Sequence, residues 1–254
     1  MKDESNELLW ADEELRSPHA QSDKARRVRR MFDAIAPTYQ LVNTLFSGGR
    51  DRAWRRRAVK MVAPTQHDRL LDIACGTGDF ARTFQKHRTG PGVIVGSDFA
   101  FNMLARAAAG PAGVSAWAQA DALNLPFANE SFTITSCAFG VRNFENLDTG
   151  LTEMHRVLAP GGRAVILEFT RPSRRLWRLL YEFYSSKIMP LGATLVSRDR
   201  TGAYRYLPSS VVSFVDARSM CERLGRAGFE SVTATPLTFG VVTIYLAIKG
   251  ADER

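Results

Sequence analysis

The sequence predicts an α/β fold: one seven-stranded, doubly wound sheet that is mostly parallel and ends in an antiparallel last strand. From Arg69 onward, short apolar runs typical of buried strands alternate with segments whose apolar residues recur at helical spacing. A glycine-rich turn at 76–78 joins the first strand to a helix. Only residues 238–240 separate the last two strands, which is too short for a helical crossover, so these strands must pair antiparallel.

The same pattern assigns each element its place along the chain. Two helices, at 24–37 and 50–63, come before the sheet, and Pro37 ends the first. The strands are predicted at 70–74, 93–97, 114–119, 132–137, 163–169, 231–237 and 241–248, and the later helices at 79–86, 102–109, 147–158 and 216–227. A helical insertion at 170–210, rich in arginine and aromatic residues, comes before the last helix, and we expect it to form a lid or substrate groove.

Charge divides the chain into an acidic start and a basic body. Residues 1–23 hold seven acidic and two basic side chains, so we expect a flexible acidic tail before a single domain at 24–254. The whole chain has a net charge of +8, with arginine clusters at 26–30 and 50–57. Such clusters attract the phosphates of nucleic acid or of anionic lipid, but they also occur on helix faces that only contact solvent. Charge alone does not decide among these three possibilities.

Composition limits the environment and the chemistry. The 254 residues are 45% hydrophobic and 24% charged, with neither a run of about 20 apolar residues nor a secretory signal, which favours a soluble protein. The three cysteines are scattered, which indicates a reducing, cytoplasmic compartment. None of the four histidines lies at ligand spacing from a cysteine, so we expect no metal site.

The glycine turn predicts a ligand site. It contains Gly76, Thr77 and Gly78, and a G-x-G-x-x-A match with Asp98 about 20 residues later keeps a nicotinamide dinucleotide open. The carboxylate of Asp72, on the first strand, and that of Asp79, at the start of the helix, would repel a pyrophosphate there. S-adenosylmethionine has no phosphate, and its ammonium and sulfonium would be attracted.

Further candidate residues follow the second and third strands. Asp98 can accept hydrogen bonds from ribose hydroxyls, Asp121 can accept one from the adenine amine, and Met103 can flank the ring. Ligands of open α/β sheets bind at the carboxyl ends of the strands, where these side chains are expected to meet. The pattern therefore favours S-adenosylmethionine as the cofactor.

Longer segments resemble a known family. The segments 72–79, 97–98 and 121–127 resemble class I S-adenosylmethionine-dependent methyltransferases. The segments 32–39, 139–143, 156–169 and 204–207 resemble the ubiquinone/menaquinone biosynthesis C-methyltransferase family, and the likeness covers roughly 26–249. The sequence departs from the family pattern at five positions: Gln40, Val42, Asp51, Thr133 and Ala138, the last often a serine.

The resemblance implies C-methylation of a prenylated quinol, with 2-demethylmenaquinol converted to menaquinol. A ubiquinone-precursor benzoquinol and another small-molecule acceptor remain alternatives. It also implies that Ala122 and Ala138 belong to the cofactor site, and that Arg142, Asn143 and Tyr39 serve the acceptor. A cation near the hydroxyl oxygen favours the anion that makes the ring carbon nucleophilic, and this role is assigned to Arg142 with Asn143 as a hydrogen-bonding partner.

The sequence also indicates which partners the protein binds. An apolar stripe at 177–188 with neighbouring arginines would face the prenyl tail and an anionic membrane, on which the protein would lie peripherally at the inner face. Amino-directed nucleic-acid methyltransferases carry [DN]-P-P-[YF] after the fourth strand, where this chain has 139–142 as F-G-V-R, so we expect no nucleic-acid partner. Two other functions remain as alternatives. A nicotinamide titration tests for a dehydrogenase, and an acceptor-dependent turnover assay tests for a non-catalytic binding module. Homo-oligomer formation stays open.

Overall fold

The computed structural model describes residues 10, 13–16, 18–20, 23–172, 174–183 and 203–251. Helices and strands occur in the order expected for a doubly wound sheet. In chain order they are α1 (Lys24–Ile35), α2 (Tyr39–Phe46), α3 (Arg50–Val62), β1 (Arg69–Ile73), α4 (Asp79–Gln85), β2 (Val93–Asp98), α5 (Phe101–Ala108), β3 (Ala116–Gln119), β4 (Phe132–Ala138), α6 (Leu147–Arg156), β5 (Leu158–Phe169), α7 (Arg175–Phe183), α8 (Ala203–Val212), α9 (Ala217–Arg226), β6 (Phe229–Leu237) and β7 (Val242–Lys249).

The seven strands form one sheet in the order β3-β2-β1-β4-β5-β7-β6. Strands β1 to β5 pair in parallel, whereas β7 is antiparallel to both β5 and β6. The predicted sheet and its antiparallel last strand are confirmed. The connection after β1 leads to β2 on one side of it, whereas β4 lies on its other side, so the strand order reverses at β1. Such a reversal opens a crevice at the carboxyl ends of these strands.

Helices cover both faces of the sheet. On one face, α3 and α4 pack through Val59 and Phe84 against the central strands. On the other face, α6 and α9 pack through Leu151 and Leu224. Strand β1 is buried from residue 70 to residue 73, as expected for a parallel strand with helices on both sides.

Several boundaries differ from the sequence prediction. Strand β5 begins at Leu158 instead of 163, since Leu158 pairs with Phe132 before an irregularity that brings Arg163 opposite Ile134. Helix α6 accordingly ends at 156, and β3 begins at 116 instead of 114. Helix α2 was not predicted. It follows a link of only three residues that contains Pro37, so α1 and α2 are separate helices.

The acidic segment is packed where it is described. Trp10 is buried, and its ring stacks on Tyr206 of α8 with 4.6 Å between the centroids. Leu15 joins the same cluster beside Val28 and Met31 of α1. Two large apolar side chains of 1–23 thus have a buried place between α1 and α8. The flexible tail expected for 1–23 as a whole stays a prediction.

The predicted insertion at 170–210 contains α7 and all but the last two residues of α8. The apolar stripe expected at 177–188 extends past residue 183, and that part lies outside the described residues. Within the described ranges, no helix combines the length and the apolar character needed to cross a membrane.

Candidate active site

A cavity lies at the carboxyl ends of β1, β2 and β4, where the sheet topology predicts a ligand site. Helix α1 closes one side of it with four residues, among them Val28 and Phe32. Most of the sequence-predicted site residues line this cavity. They are Tyr39, Gly76, Asp98, Met103, Asp121, Ala122, Ala138 and Asn143.

The turn after β1 needs glycine for steric reasons. Gly76 and Gly78 have φ angles of 55° and 80°, in the left-handed region that L side chains rarely adopt. A Cβ on Gly78 would also lie 2.5 Å from the Trp117 ring. The backbone N–H of Gly76 donates to Asp98 Oδ2 at 2.7 Å, so β2 holds the turn in place.

Asp98 presents a half-buried carboxylate to the cavity. It accepts from the N–H groups of Gly76 and Ala100, at 2.7 and 2.8 Å, and forms no ion pair with any residue in the described ranges. Burial raises the pKa of Asp98 to about 6, so the group is ionised at neutral pH. A carboxylate has about four lone-pair sites, which leaves capacity to accept hydrogen bonds from two ligand hydroxyls.

Asp72 does not reach this cavity. It is fully buried beneath the turn, where Ser136 Oγ and the Ala81 N–H donate to its two oxygens at 2.6 and 3.0 Å. Burial raises its pKa to about 7. Asp72 thus ties the start of α4 to β4, and the structure gives it a supporting place instead of the predicted ligand contact. Thr77 and Gly78 also lie outside the lining of the cavity.

The charges around the cavity suit a cationic ligand. Three carboxylates, from Asp98, Asp121 and Glu145, line it together with one guanidinium, that of Arg29. Arg29 lies over the ring of Phe99 at 5.3 Å from the centroid. An excess of negative charge disfavours a pyrophosphate and fits an ammonium, a sulfonium and hydroxyl donors. The residues present therefore fit S-adenosylmethionine.

The turn after β4 carries Asn143 into the cavity and Arg142 away from it. Arg142 is buried and donates from Nη1 to Glu168 Oε1 at 2.8 Å and to the carbonyl oxygen of Phe139. Asn143 accepts from the Tyr206 hydroxyl at 3.1 Å. Arg142 lies outside the cavity lining and its charge is paired with Glu168, so the anion stabilisation predicted for it would have to act from a distance.

Tyr39 faces the cavity from the first turn of α2. Burial raises the pKa of its hydroxyl, while the nearby positive charge of Arg142 acts in the opposite direction. The field of the buried Arg142 therefore reaches the cavity even though its side chain does not line it.

Two residues of this region were missed by sequence reasoning. Glu168 and Tyr206 hold Arg142 and Asn143, respectively. Glu168 had a detectable signal, an acidic residue in the otherwise apolar second half of β5. Tyr206 lies in the segment 204–207, which was noted only for its resemblance to a family.

Comparison with known proteins identifies the family to which this chain belongs. A model of the ubiE/COQ5 methyltransferase family matches residues 20–249. The chain belongs to the ubiE/COQ5 methyltransferase family. As a member of this family it is an S-adenosylmethionine-dependent methyltransferase, which confirms the enzyme class and the cofactor predicted from the sequence.

Relatives within the family match over nearly their whole length. The demethylmenaquinone methyltransferase of Bacteroides fragilis is 38% identical, and the match covers 95% of this chain and 100% of that protein. The one of Thermus thermophilus is 44% identical over 85% of this chain and 98% of its own. The ubiquinone/menaquinone biosynthesis C-methyltransferase UbiE of Geobacter sulfurreducens is 41% identical over 90% and 91%.

Solved structures of methyltransferases confirm the fold. A possible histamine N-methyltransferase from Thermotoga maritima superposes with a TM-score of 0.61 at 19% identity, and the match covers 87% of this chain and 99% of that one. A methyltransferase from Bacillus halodurans superposes with a TM-score of 0.56 at 17% identity over 78% and 99%. At these identities the likeness concerns the fold alone.

Proposed function

We propose that this protein methylates a ring carbon of a prenylated quinol, with 2-demethylmenaquinol as substrate and menaquinol as product. The observation that carries the proposal is the single cavity surface shared by the acid pair Asp98 and Asp121 and by the polar side chains of Tyr39 and Asn143. Relatives named as demethylmenaquinone methyltransferases support the menaquinone substrate. The relative named for both quinones keeps a ubiquinone precursor as the second candidate.

The cofactor end of the cavity is built to hold an adenosine. Asp98 would accept from the ribose hydroxyls, and Asp121 from the exocyclic amine of adenine. The apolar side chain of Met103 would pack against the ring. When bound, S-adenosylmethionine supplies a methyl group already activated by its sulfonium, so the chain has mainly to orient the acceptor in line with the S–CH₃ bond.

The acceptor end would promote loss of the quinol proton. The Asn143 amide would donate to the quinol oxygen, with Tyr206 holding its orientation from behind. Tyr39 would contact the same oxygen from α2. Arg142 would act at a distance, since its positive charge opposes the burial that raises the pKa of the Tyr39 hydroxyl and would likewise favour a quinol anion in the cavity. Its side chain is thus a positioning and electrostatic group and not a proton acceptor, as expected for a guanidinium.

An apolar surface would receive the prenyl tail. Leu176 and Leu179 on α7 are 65% and 54% exposed, and Phe239, stacked on Trp177, is 63% exposed. Exposed arginines flank α7, so the surface combines apolar side chains with charges that attract lipid phosphates. We propose peripheral attachment to the inner face of an anionic membrane here. Homo-oligomer formation would cover the same surface, and vesicle sedimentation at low and high salt separates the two.

The test is label transfer from S-adenosylmethionine. The protein is incubated with the labelled cofactor and, separately, with demethylmenaquinol and the ubiquinone-precursor benzoquinol. We expect transfer to demethylmenaquinol, and slower turnover with Asn143→Ala at unchanged S-adenosylhomocysteine affinity. Transfer to the benzoquinol alone would select the second candidate. No transfer to either quinol by protein that still binds S-adenosylhomocysteine would refute the proposal.

A further inference from the structure

A second cavity, of about 790 Å³, lies beyond the glycine turn. It is bounded by α3, α4 and the end of α5, and none of its lining residues lines the cofactor cavity. Thr77 and Gln40 mark its near end, each next in sequence to a residue of the cofactor cavity. His87 and Pro111 line it farther along α4 and beyond α5. The turn at 76–78 is therefore a partition between two sites.

Positive charge dominates this cavity. Seven arginine or lysine side chains line it, against the carboxylates of Asp51 and Asp79. Asp51 is bound to Arg55 at 2.5 Å, so it does not offset the other cations. Five of the seven basic side chains are exposed, and they form no ion pair with any residue that the structure describes. They are Arg52, Arg56, Lys60, Lys86 and Arg106.

Two buried guanidinium groups in the lining have an unsatisfied donor. Arg55 and Arg82 are 6% and 9% exposed, and the Nε of each is buried without a hydrogen-bond partner. Nη1 and Nη2 of Arg82 each donate one hydrogen bond, to the carbonyl oxygens of Thr77 and Ala107 respectively. A buried N–H left unpaired is costly, and the positive charges of both guanidinium groups add to the potential that attracts an anion to the cavity.

We propose that this cavity binds a phosphate or diphosphate group. Phosphate oxygens accept several charge-assisted hydrogen bonds at once, and arginine presents its donors in a planar fork that matches them. The group can come from a free phosphate compound or from the headgroup of an anionic lipid. Because the partition separates the two cavities, the phosphate and the cofactor bind at the same time. The site is independent of the methyl transfer proposed above.

Calorimetry with inorganic pyrophosphate tests the site in the full chain at low salt, with S-adenosylhomocysteine at saturation. We expect Arg56→Ala/Lys86→Ala, which removes one exposed cation from each wall, to weaken pyrophosphate binding at least about tenfold. The matched control is Arg226→Ala, an exposed cation on α9 at the other face of the sheet, which should leave binding unchanged.

Vesicles identify the source of the phosphate. If it is a lipid headgroup, the double variant should sediment less with phosphatidylglycerol vesicles than the wild type does, because only the surface at α7 is then left to bind them, whereas phosphatidylcholine vesicles bind neither protein. If it is a free compound, only the pyrophosphate affinity changes. Three results would overturn the proposal: no binding of pyrophosphate together with equal vesicle sedimentation of wild type and double variant, equal loss in Arg226→Ala, or displacement of pyrophosphate by S-adenosylhomocysteine. A failure of quinol methylation would leave these binding measurements unaffected.

Discussion

The ion pair between Arg142 and Glu168 offers the sharpest test of how the site is held together. The two side chains are 2% and 0% exposed, and Nη1 lies 2.8 Å from Oε1. Glu168 also accepts from the backbone N–H groups of Arg142 and Phe169, at 3.3 and 2.8 Å. Glu168→Gln keeps the shape of the side chain but removes its charge, which leaves a buried guanidinium uncompensated.

Breaking a buried pair in this way costs about 3–5 kcal/mol of unfolding free energy. For a chain of this size each kcal/mol lowers the Tm by about 2–4 °C, so we expect a fall of roughly 6–20 °C. The assay is thermal and urea unfolding at pH 7. The control is Glu222→Gln, which breaks the exposed pair of Arg218 and Glu222 on α9 and should cost less than about 1 kcal/mol.

A double-mutant cycle completes the experiment. Arg142→Met/Glu168→Gln removes both charges and should cost clearly less than the sum of the two single variants, because neither charge is then left alone. Additive losses would mean that the two groups are not coupled. If Glu168→Gln had the same Tm as Glu222→Gln, the reasoning that burial makes this ion pair important for stability would be refuted.

Two further predictions concern binding and turnover. Asp98 has its pKa raised to about 6 by burial, so S-adenosylhomocysteine affinity measured by calorimetry should be full above about pH 7. The affinity should weaken by at most about tenfold per pH unit as the pH falls through that pKa and the carboxyl is protonated. Asp98→Asn should bind weakly at every pH. A wild-type affinity that does not change with pH would contradict the role of Asp98. Tyr206→Phe removes only the hydroxyl that donates to Asn143, so kcat should fall while cofactor affinity stays constant and stability drops by about 1 kcal/mol; an unchanged kcat would show that this hydrogen bond does not position Asn143.

Much of the candidate site was predictable because it depends on strand order. Asp98 ends β2 and Asp121 follows β3, and in a parallel sheet the carboxyl ends of neighbouring strands meet at one edge. Asp72 looked equivalent in the sequence, yet it ends beneath the turn, where Ser136 binds it. Which way a side chain near the end of a strand points depends on neighbours that are distant in the chain, so its place could not be read from spacing.

The sequence by itself determined the alternation of strands and helices, the glycine turn at 76–78 and the closing antiparallel hairpin. These are consequences of local periodicity and loop length, which a linear chain displays directly. Only the tertiary structure decided that Trp10 packs on Tyr206 and that Arg142 pairs with Glu168, 26 residues away. Long-range packing selects such partners, because burial and the energy of a charge depend on everything that surrounds the group and not on its position in the sequence.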